Sequence, residues 1–389
     1  MGSPLLYQRI CDHVLEQIRR GELAPGARVA SEMELAEQFQ VSRITSKRAL
    51  EVLRRWGVIE RIRGKGSFVV SELPDLSQLG FAGGDDAPDS SSAPITLAFV
   101  LPDASEAYGL ELLYAVEERC AEVGVHLLLR RTLGQQSVEE RVVEELTTGG
   151  RVDGLIVFPV HGEFYNASLL RAVVDGFPLV LVDRYLSGLP VCAVHTDNVT
   201  AARALTERVL DAGHRSVAFV STSPRNTSSI EERLTGFRAA CVDRQRQYHE
   251  LTDLRSTLPG AFSPAAVEAD AVRIAEFART HPDVTAFVVC EYNLARVVAK
   301  ALPGPDQPLI ACFDSPTDPI DGPQFLHVRQ DQREMGRQAV DLLLAQIHSE
   351  PVPTQSVVGF RIVEAATGTP RPAPAKGRPP RQARTGTRT

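Results

Sequence analysis

The chain has 389 residues with 43% hydrophobic and 6% aromatic side chains, enough to bury more than one core, and the length points to two or three domains. Its formal charge of -7 is unevenly spread: residues 1–70 hold 12 basic and 8 acidic side chains, residues 366–389 hold 6 and none, and the acids concentrate between them. A basic head on an acidic body excludes a protein that coats polyanions along its whole surface and implies a local contact with one.

Six cysteines (Cys11, Cys120, Cys192, Cys241, Cys290 and Cys312) lie far apart with no C-x-x-C pair, so they read as small core residues of a reducing compartment. No apolar signal core opens the chain and no run of about 18 apolar residues occurs, which predicts a cytoplasmic, soluble protein.

In the head, Leu6, Ile10, Val14 and Ile18 recur every four residues and predict a first helix, ended by Gly21 and the Pro25-Gly26 turn. Ser31 with Glu34 three residues on is a capping-box pattern that opens a second helix carrying Met33, Leu35, Ala36 and Phe39. After a turn at Gln40 and Val41, Ser42 caps a third helix running to about Trp56. Its first turn sets Arg43, Thr45 and Ser46 outward with Lys47 and Arg48 beside them, while Ile44, Ala49, Leu50 and Leu53 form a buried stripe. A helix N-terminus aimed at an anion adds its own amides and dipole. Val58 to Arg61 and Ser67 to Val70 then read as two short strands around Arg63, Gly64, Lys65 and Gly66, a slim cationic hairpin tip able to enter a groove. A charge cluster alone is usually a solvated surface. Three helices followed by a basic hairpin make a winged helix-turn-helix.

The window from Pro4 to Val70 resembles the DNA-binding domain of the GntR family at Tyr7, Ile18, Gly21, Pro25-Gly26, Ser31-Glu32, Leu35-Ala36, Val41-Ser42-Arg43, Thr45, Ala49-Leu50, Leu53, Gly57 and Gly64-Lys65-Gly66-Ser67-Phe68-Val69. Ala30 stands where a proline is common, and Ser46-Lys47 where a Val-Arg pair is common. The resemblance implies double-stranded DNA as partner. Arg43, Thr45 and Lys47, with Ser42 and Arg48 beside them, would meet base edges or phosphates of the major groove. Arg63, Gly64, Lys65 and Gly66 would approach the minor groove. Arginine pairs bidentately with guanine, which fits that role.

From residue 71 to 94 the composition shifts to acid, glycine, serine and proline, as in AGGDDAPDSSSAP, and predicts a flexible linker. Residues 366–389 are proline-rich and basic and predict an unfolded tail, which either adds sequence-independent DNA affinity or only solubilises the chain.

Between them, residues 95–365 alternate short β-rich runs (96–101, 125–130, 154–158, 179–182, 217–220, 285–289, 309–313) with amphipathic helical stretches (110–123, 137–147, 198–212, 229–241, 263–279, 331–347). That alternation specifies parallel α/β layers with strands enough for two Rossmann-like lobes. Ligands of such sheets sit beyond the carboxyl ends of the strands. The polar residues there are Asp103 with Tyr108 nearby, Asp183-Arg184, Ser221-Thr222-Ser223, Glu291-Tyr292-Asn293 and Asp314.

Residues Ile95 to Val363 resemble the effector-binding domain of LacI-type regulators, related to periplasmic sugar-binding proteins. The carriers are LVLVDR ending at Arg184, TDN at 196–198, AGHRSVAFVS at 212–221, SSIEERLTGF at 228–237, FDS from Phe313 and VRQDQREMGRQAVDLLL at 328–344. A GntR-type head on a LacI-type body is similar to bacterial arabinose repressors of the AraR kind. The resemblance implies that Asp183 and Asp314 accept hydrogen bonds from sugar hydroxyls, that Arg233 donates to them, and that Gln330 lines the cleft where the chain crosses between lobes. Arg184 and Glu291 join that set, and Tyr108 supplies an aromatic floor or belongs to the core. Asn198 and His214 read as a helix cap and a C-terminal turn.

No G-x-S-x-G, Walker glycine loop or H-E-x-x-H occurs, and the nine histidines show no metal-ligand spacing, so no enzyme, cofactor or metal is expected. The expectation is a homodimeric transcriptional regulator, a repressor relieved by a small carbohydrate. Two alternatives remain: the same architecture answering to a nucleoside or sugar phosphate or acting as an activator, and a sugar-binding transport or sensory protein. The second shares the body but leaves residues 1–70 without purpose.

Overall fold

Three helices and a two-stranded wing form the head because their apolar faces converge: α1 (Leu6–Arg19), α2 (Glu32–Phe39), α3 (Arg43–Arg55), β1 (Ile59–Ile62) and β2 (Gly66–Val69). The computed structural model describes residues 6–41, 43–62, 65–74, 76, 95–148, 152–162, 166–258, 260–304, 307–317, 320 and 322–366. Ser42, Arg63, Gly64, the Arg48 side chain, most of the expected linker and nearly all of the expected tail lie outside the described residues.

Ile10, Val14 and Ile18 of α1, Leu35 of α2, and Ala49, Leu50 and Leu53 of α3 close one core with Val58, Ile59 and Val69 of the wing. Ser31 caps α2 as its spacing predicts: its hydroxyl accepts from the Glu34 amide at 3.3 Å while Glu34 accepts from the Ser31 amide at 2.6 Å. Met33 departs from the expectation, standing 69% exposed. Two residues from Leu35 on a helix is about 200° of rotation, so both cannot face one core. Leu73 and Leu76, within the expected linker, pack against the head, and Arg19 Nη2 donates to the Leu76 carbonyl at 2.7 Å.

The body is two lobes, each a six-stranded sheet between helices. The first contains β3 (Thr96–Leu101), α4 (Leu110–Glu122), β4 (His126–Arg131), α5 (Gln136–Thr148), β5 (Gly154–Val157), α6 (Ala167–Val174), β6 (Leu179–Val182) and β7 (Cys192–Thr196). The chain crosses to the second lobe for α7 (Asn198–Asp211), β8 (Ser216–Thr222), α8 (Ser228–Asp243), β9 (Gln247–Leu254), α9 (Pro264–Thr280), β10 (Ala286–Val289), α10 (Tyr292–Ala301), β11 (Leu309–Phe313) and β12 (Leu326–Gln330). It returns for α11 (Gln332–Ile347) and β13 (Gln355–Val358), then crosses again to end the second sheet with β14 (Phe360–Val363). Strand orders are β13-β7-β6-β5-β3-β4 and β14-β12-β11-β10-β8-β9. Every neighbour is parallel except β14, which runs antiparallel to β12.

The central strands β5, β6, β8 and β10 are buried along their whole length, as helices on both faces require, and their runs of Val, Leu, Ile and Phe are what makes them legible. Strands β7, β9 and β12 to β14 escape that reading. CAVHT and LHVRQ end in polar residues, and QYHELTDL is an edge strand with intermediate burial. All six cysteines are free and buried.

Two glycines let helices touch. A Cβ at Gly236 of α8 would stand 2.1 Å from the Val199 carbonyl oxygen of α7, and one at Gly336 of α11 would stand 2.9 Å from that of Leu112 in α4. Three crossings at 196–198, 330–332 and 358–360 join the lobes, so what lies between the sheets is built by both.

Candidate functional site

The exposed corner of the head is the start of α3 with the wing beside it. Arg43 and Lys47 lie exposed on α3, Thr45 half-buried, and Lys65 and Gly66 sit at the wing tip, where the Lys65 amide donates to the Ile62 carbonyl at 3.0 Å and Gly66 takes a φ of 118°. Arg43, with 72% of its side chain exposed, reaches Glu32 of α2 at 3.3 Å, and Arg61 of β1 stands 3.5 Å from the same carboxylate. Glu32 thereby steers two cations toward one face at little net energy, since exposed ion pairs are worth only about 0–1 kcal/mol. The first turn of α3 lacks acids, which leaves its positive end unopposed.

Ser46 is placed differently from the sequence expectation. Its hydroxyl is fully buried and donates to the Glu32 carbonyl at 2.5 Å and the Arg43 carbonyl at 2.9 Å, tying α3 to α2 rather than facing an anion. Three residues separate it from Arg43, so their side chains share a side of the helix, but the short hydroxyl stops at the neighbouring helix while the long guanidinium passes it.

Between the lobes lies a cleft of about 730 Å³. Tyr108, Asp183, Arg184, Arg233, Glu291, Asp314 and Gln330 all line it, and so do Tyr292 and Asn293. The first lobe sends Asp183 and Arg184 from just after β6, and the second sends Asp314 from just after β11. Both aspartates adopt positive φ, 67° and 58°, a turn that short polar side chains tolerate, and each amide donates to the adjacent strand, Asp183 to Val194 at 2.9 Å and Asp314 to Val328 at 2.8 Å.

The Tyr108 hydroxyl donates to Asp183 Oδ1. Arg184 Nε stands 3.3 Å from Asp183 Oδ2, its Nη1 donates to the Pro159 carbonyl at 3.1 Å, and its guanidinium lies 5.1 Å from the Phe158 ring centre. Arg233, buried, donates through Nε to Asn198 Oδ1 at 2.8 Å and through Nη1 to the Cys290 carbonyl at 2.7 Å, and stacks 3.9 Å over the Phe313 ring. Gln330 Nε2 donates to Asp314 Oδ2 at 2.7 Å, and Gln330 Oε1, although buried, has no hydrogen-bond partner in the protein. Buried polar atoms left this way mark where a ligand's donors and acceptors belong.

Burial pushes the Asp314 carboxyl up to about 7, against the pull of the Arg233 guanidinium and the Gln330 amide. Burial likewise raises Glu291, and burial with the charges of Asp183 and Asp314 holds Tyr108 in its neutral, donating form. His161 is lowered to about 4 by burial and then by Arg184. The cleft thus offers neutral or acidic oxygen acceptors over Phe158 and Phe313, with two cations already engaged, which suits a polyhydroxyl compound.

Asn198 is not the helix cap its position suggests. Asp197 caps α7, accepting from the Thr200 amide at 2.9 Å, while Asn198 is buried and orients Arg233. His214 lies past α7, with Nδ1 2.8 Å from Thr285 Oγ1. Phe158 and Phe313 are not among the site residues expected from the sequence, yet an aromatic at the carboxyl end of a strand is the signal that finds them. Direct bonds also join the lobes beside the cleft: Arg329 donates to Glu111 at 2.6 Å, the Tyr185 amide to Ser228 at 3.0 Å, and Thr227 Oγ1 lies 3.1 Å from His161 Nδ1. Among the described residues no group of histidines, cysteines and acids could hold a metal ion, and no helix is long and apolar enough to cross a membrane.

Residues 6–69 match the bacterial regulatory proteins of the gntR family, and residues 206–367 match the periplasmic binding protein-like domain. The chain is 26% identical over 363 residues to the arabinose metabolism transcriptional repressor of Geobacillus stearothermophilus, covering 89% of this chain and 92% of that protein. It is 24% identical over 241 residues to the repressor of the same name from Halalkalibacterium halodurans, 61% of each. Among solved structures it resembles the transcription regulator CcpA of Lactococcus lactis, with a TM-score of 0.59 at 20% identity over 71% of this chain and 100% of that one. It also resembles the Cra transcriptional dual regulator of Pseudomonas putida, with a TM-score of 0.58 at 23% identity over 69% and 98%. The chain therefore joins a GntR-family winged helix-turn-helix head to a two-lobed periplasmic-binding-protein-like body.

Proposed function

We propose that the chain is a transcriptional repressor that holds operator DNA as a homodimer through two winged heads and releases it when a small neutral carbohydrate enters the cleft. One observation carries this reading: seven polar side chains from two lobes converge over aromatic rings in a single cleft, in a chain whose other end presents a cationic recognition corner. The relatives named as repressors of arabinose metabolism support it.

Arg43, Thr45 and Lys47, with Lys65 and Gly66 of the wing, are the proposed DNA contacts, and Ser42, Arg48, Arg63 and Gly64 belong to the same proposal. Asp183, Asp314, Glu291 and Gln330 are the proposed acceptors for sugar hydroxyls, with Arg184, Arg233 and Tyr108 as donors or floor. A ligand shifts DNA affinity only by preferring one arrangement of the lobes over another. Two half-sites fix the head spacing that the body must provide. A sugar phosphate fits less well than a neutral sugar, because three carboxylates stand near the described cations of the lining, Arg184 and Arg233, and each guanidinium already donates to a backbone carbonyl, Pro159 and Cys290.

Calorimetric titration with neutral pentoses and hexoses, followed by operator-binding anisotropy at fixed salt, tests the reading. Sugar binding with unchanged operator affinity rejects the coupling. Arg233→Ala should keep operator affinity and lose the response to sugar; normal release by sugar removes Arg233 from the site.

A further inference from the structure

We infer that the cleft has an outer subsite, formed by Leu133 of the first lobe and Phe262 of the second, which seats a second sugar ring or an apolar aglycone of a neutral glycoside. This inference rests on the carbohydrate reading above. A pyranose has the bulk of roughly six waters, about 180 Å³, whereas the cleft holds about 730 Å³. One ring fills only a minor part of it.

The two ends of the cleft differ in character. Asp183, Arg233, Asp314 and Gln330 are buried at the inner end over Phe158 and Phe313. Leu133 and Phe262, which line the same cleft, stand 47% and 71% exposed. Large apolar side chains held at the mouth of a polar cleft lose water contact only when something covers them.

These two residues approach from opposite lobes. A Cβ at Gly260 would lie 3.7 Å from the Leu133 carbonyl oxygen, so the segment leading to Phe262 abuts the turn carrying Leu133. Leu133 adopts a φ of 52°, a conformation that bulky residues rarely take, and Gly134 follows it with a φ of 69°. The turn therefore holds a leucine where an asparagine or glycine would sit with less strain, and that leucine lines the cleft.

Charge narrows the occupant. The described cations of the lining, Arg184 and Arg233, lie at the inner end, and Asp103 near the mouth is already paired with Arg131 at 2.9 Å. The remaining polar groups toward the mouth include the amides of Gln135 and Asn293. An apolar platform edged by neutral amides matches the C–H face and hydroxyl rim of an uncharged ring, and its described lining residues offer a phosphate no cation.

Calorimetric titration of the full-length protein with arabinose, xylose, glucose and galactose, each beside a disaccharide and a p-nitrophenyl glycoside of the same sugar, tests the assignment. In the series that binds, the extended compound should bind about tenfold tighter than the free monosaccharide, the gain from covering part of a phenylalanine. Phe262→Ala should abolish that advantage and leave monosaccharide affinity unchanged. Leu133→Asn, which suits the left-handed turn, should do the same without disturbing the backbone. Equal affinity for short and extended compounds, or equal losses for both in Phe262→Ala, overturns the outer subsite alone. Binding of no sugar of any length overturns the carbohydrate reading with it.

Discussion

Gly236→Ala tests how the cleft is held together. The added methyl carbon would meet the Val199 carbonyl oxygen at 2.1 Å and the Arg203 amide nitrogen at 3.0 Å, both backbone atoms of α7 that cannot swing aside. A comfortable C···O approach is about 3.3 Å, so α8 must retreat from α7 by about 1 Å. Overpacking of this kind costs about 1–3 kcal/mol, and the upper end applies where the obstacle is backbone. Alanine's better helix propensity returns about 1 kcal/mol, leaving a net loss of about 2 kcal/mol. Arg233 lies three residues earlier on α8, and its 2.8 Å bond to Asn198 at the start of α7 spans the same contact. A 1 Å retreat takes that bond beyond about 3.5 Å, where it no longer counts as one. Urea unfolding of the full chain should show a destabilised body, and calorimetry should show sugar affinity lowered about tenfold, or about 1.4 kcal/mol. Operator affinity without sugar should be unchanged. A variant at least as stable as the parent, with full sugar affinity, refutes the packing argument, because helix propensity alone predicts a gain of about 1 kcal/mol.

Arg43→Ala should reduce operator discrimination by about 1–3 kcal/mol with sugar binding intact; an equal loss on all DNA sequences would assign Arg43 to phosphate instead. Ser46→Ala should cost about 1 kcal/mol of head stability through the lost tie between α2 and α3 while leaving the operator affinity of the folded protein unchanged, and a loss of operator affinity with no loss of stability would return Ser46 to the DNA face. Asp314→Asn bears on pH. Its carboxyl keeps its proton up to about 7 in the folded chain but only to its ordinary 3.8 unfolded, so its contribution to stability is full below 3.8 and is lost as pH rises through about 7. Urea midpoints should therefore fall less between pH 5 and pH 8 in the variant than in the parent, and identical pH profiles would reject the burial of this carboxyl.

The fold is legible wherever local rules and burial agree. Four all-buried strands read as short apolar runs, and Ser31 with Glu34 announces α2 by spacing alone. The polar set of the cleft is legible for a topological reason, since parallel sheets place the residues after their strands at one end, which is where Asp183 and Asp314 stand. Ser46 and Asn198 are not legible, because their roles depend on which element lies opposite. A serine in the first turn of a cationic helix looks like an anion ligand until α2 covers it, and an asparagine at a helix start looks like a cap until Asp197 takes that position. Leu133 and Phe262 belong to opposite lobes, and no local pattern brings residues so far apart in sequence to one mouth.

The two lobes repeat one design, and the repeat bears on how the proposed switch would work. With β14 taking the place of β13, the sheets have the same strand order, so β6 corresponds to β11 and β7 to β12. Asp183 and Asp314 are therefore equivalent residues, each held at positive φ with its amide on the neighbouring strand. The helices after β7 and β12 begin alike, with Asp197 and Asp331 as caps, yet each crosses to the other lobe and packs there on a partner helix through a glycine contact, Gly236 against α7 and Gly336 against α4. Each lobe is thus clasped by a helix whose N-terminal approach comes from the other, and the chain between them is only residues 196–198, 330–332 and 358–360 wide. Rotation about such short crossings changes the distance between Asp183 and Asp314 while leaving both sheets and both glycine contacts intact. A ligand bonded to both aspartates gains contacts only in the arrangement that lets it span them, which is the differential affinity that a switch requires. On this geometry Gly336→Ala should weaken the first lobe as Gly236→Ala weakens the second, and because Arg233 is on α8 and not on α11, it should leave the Arg233 bond to Asn198 in place.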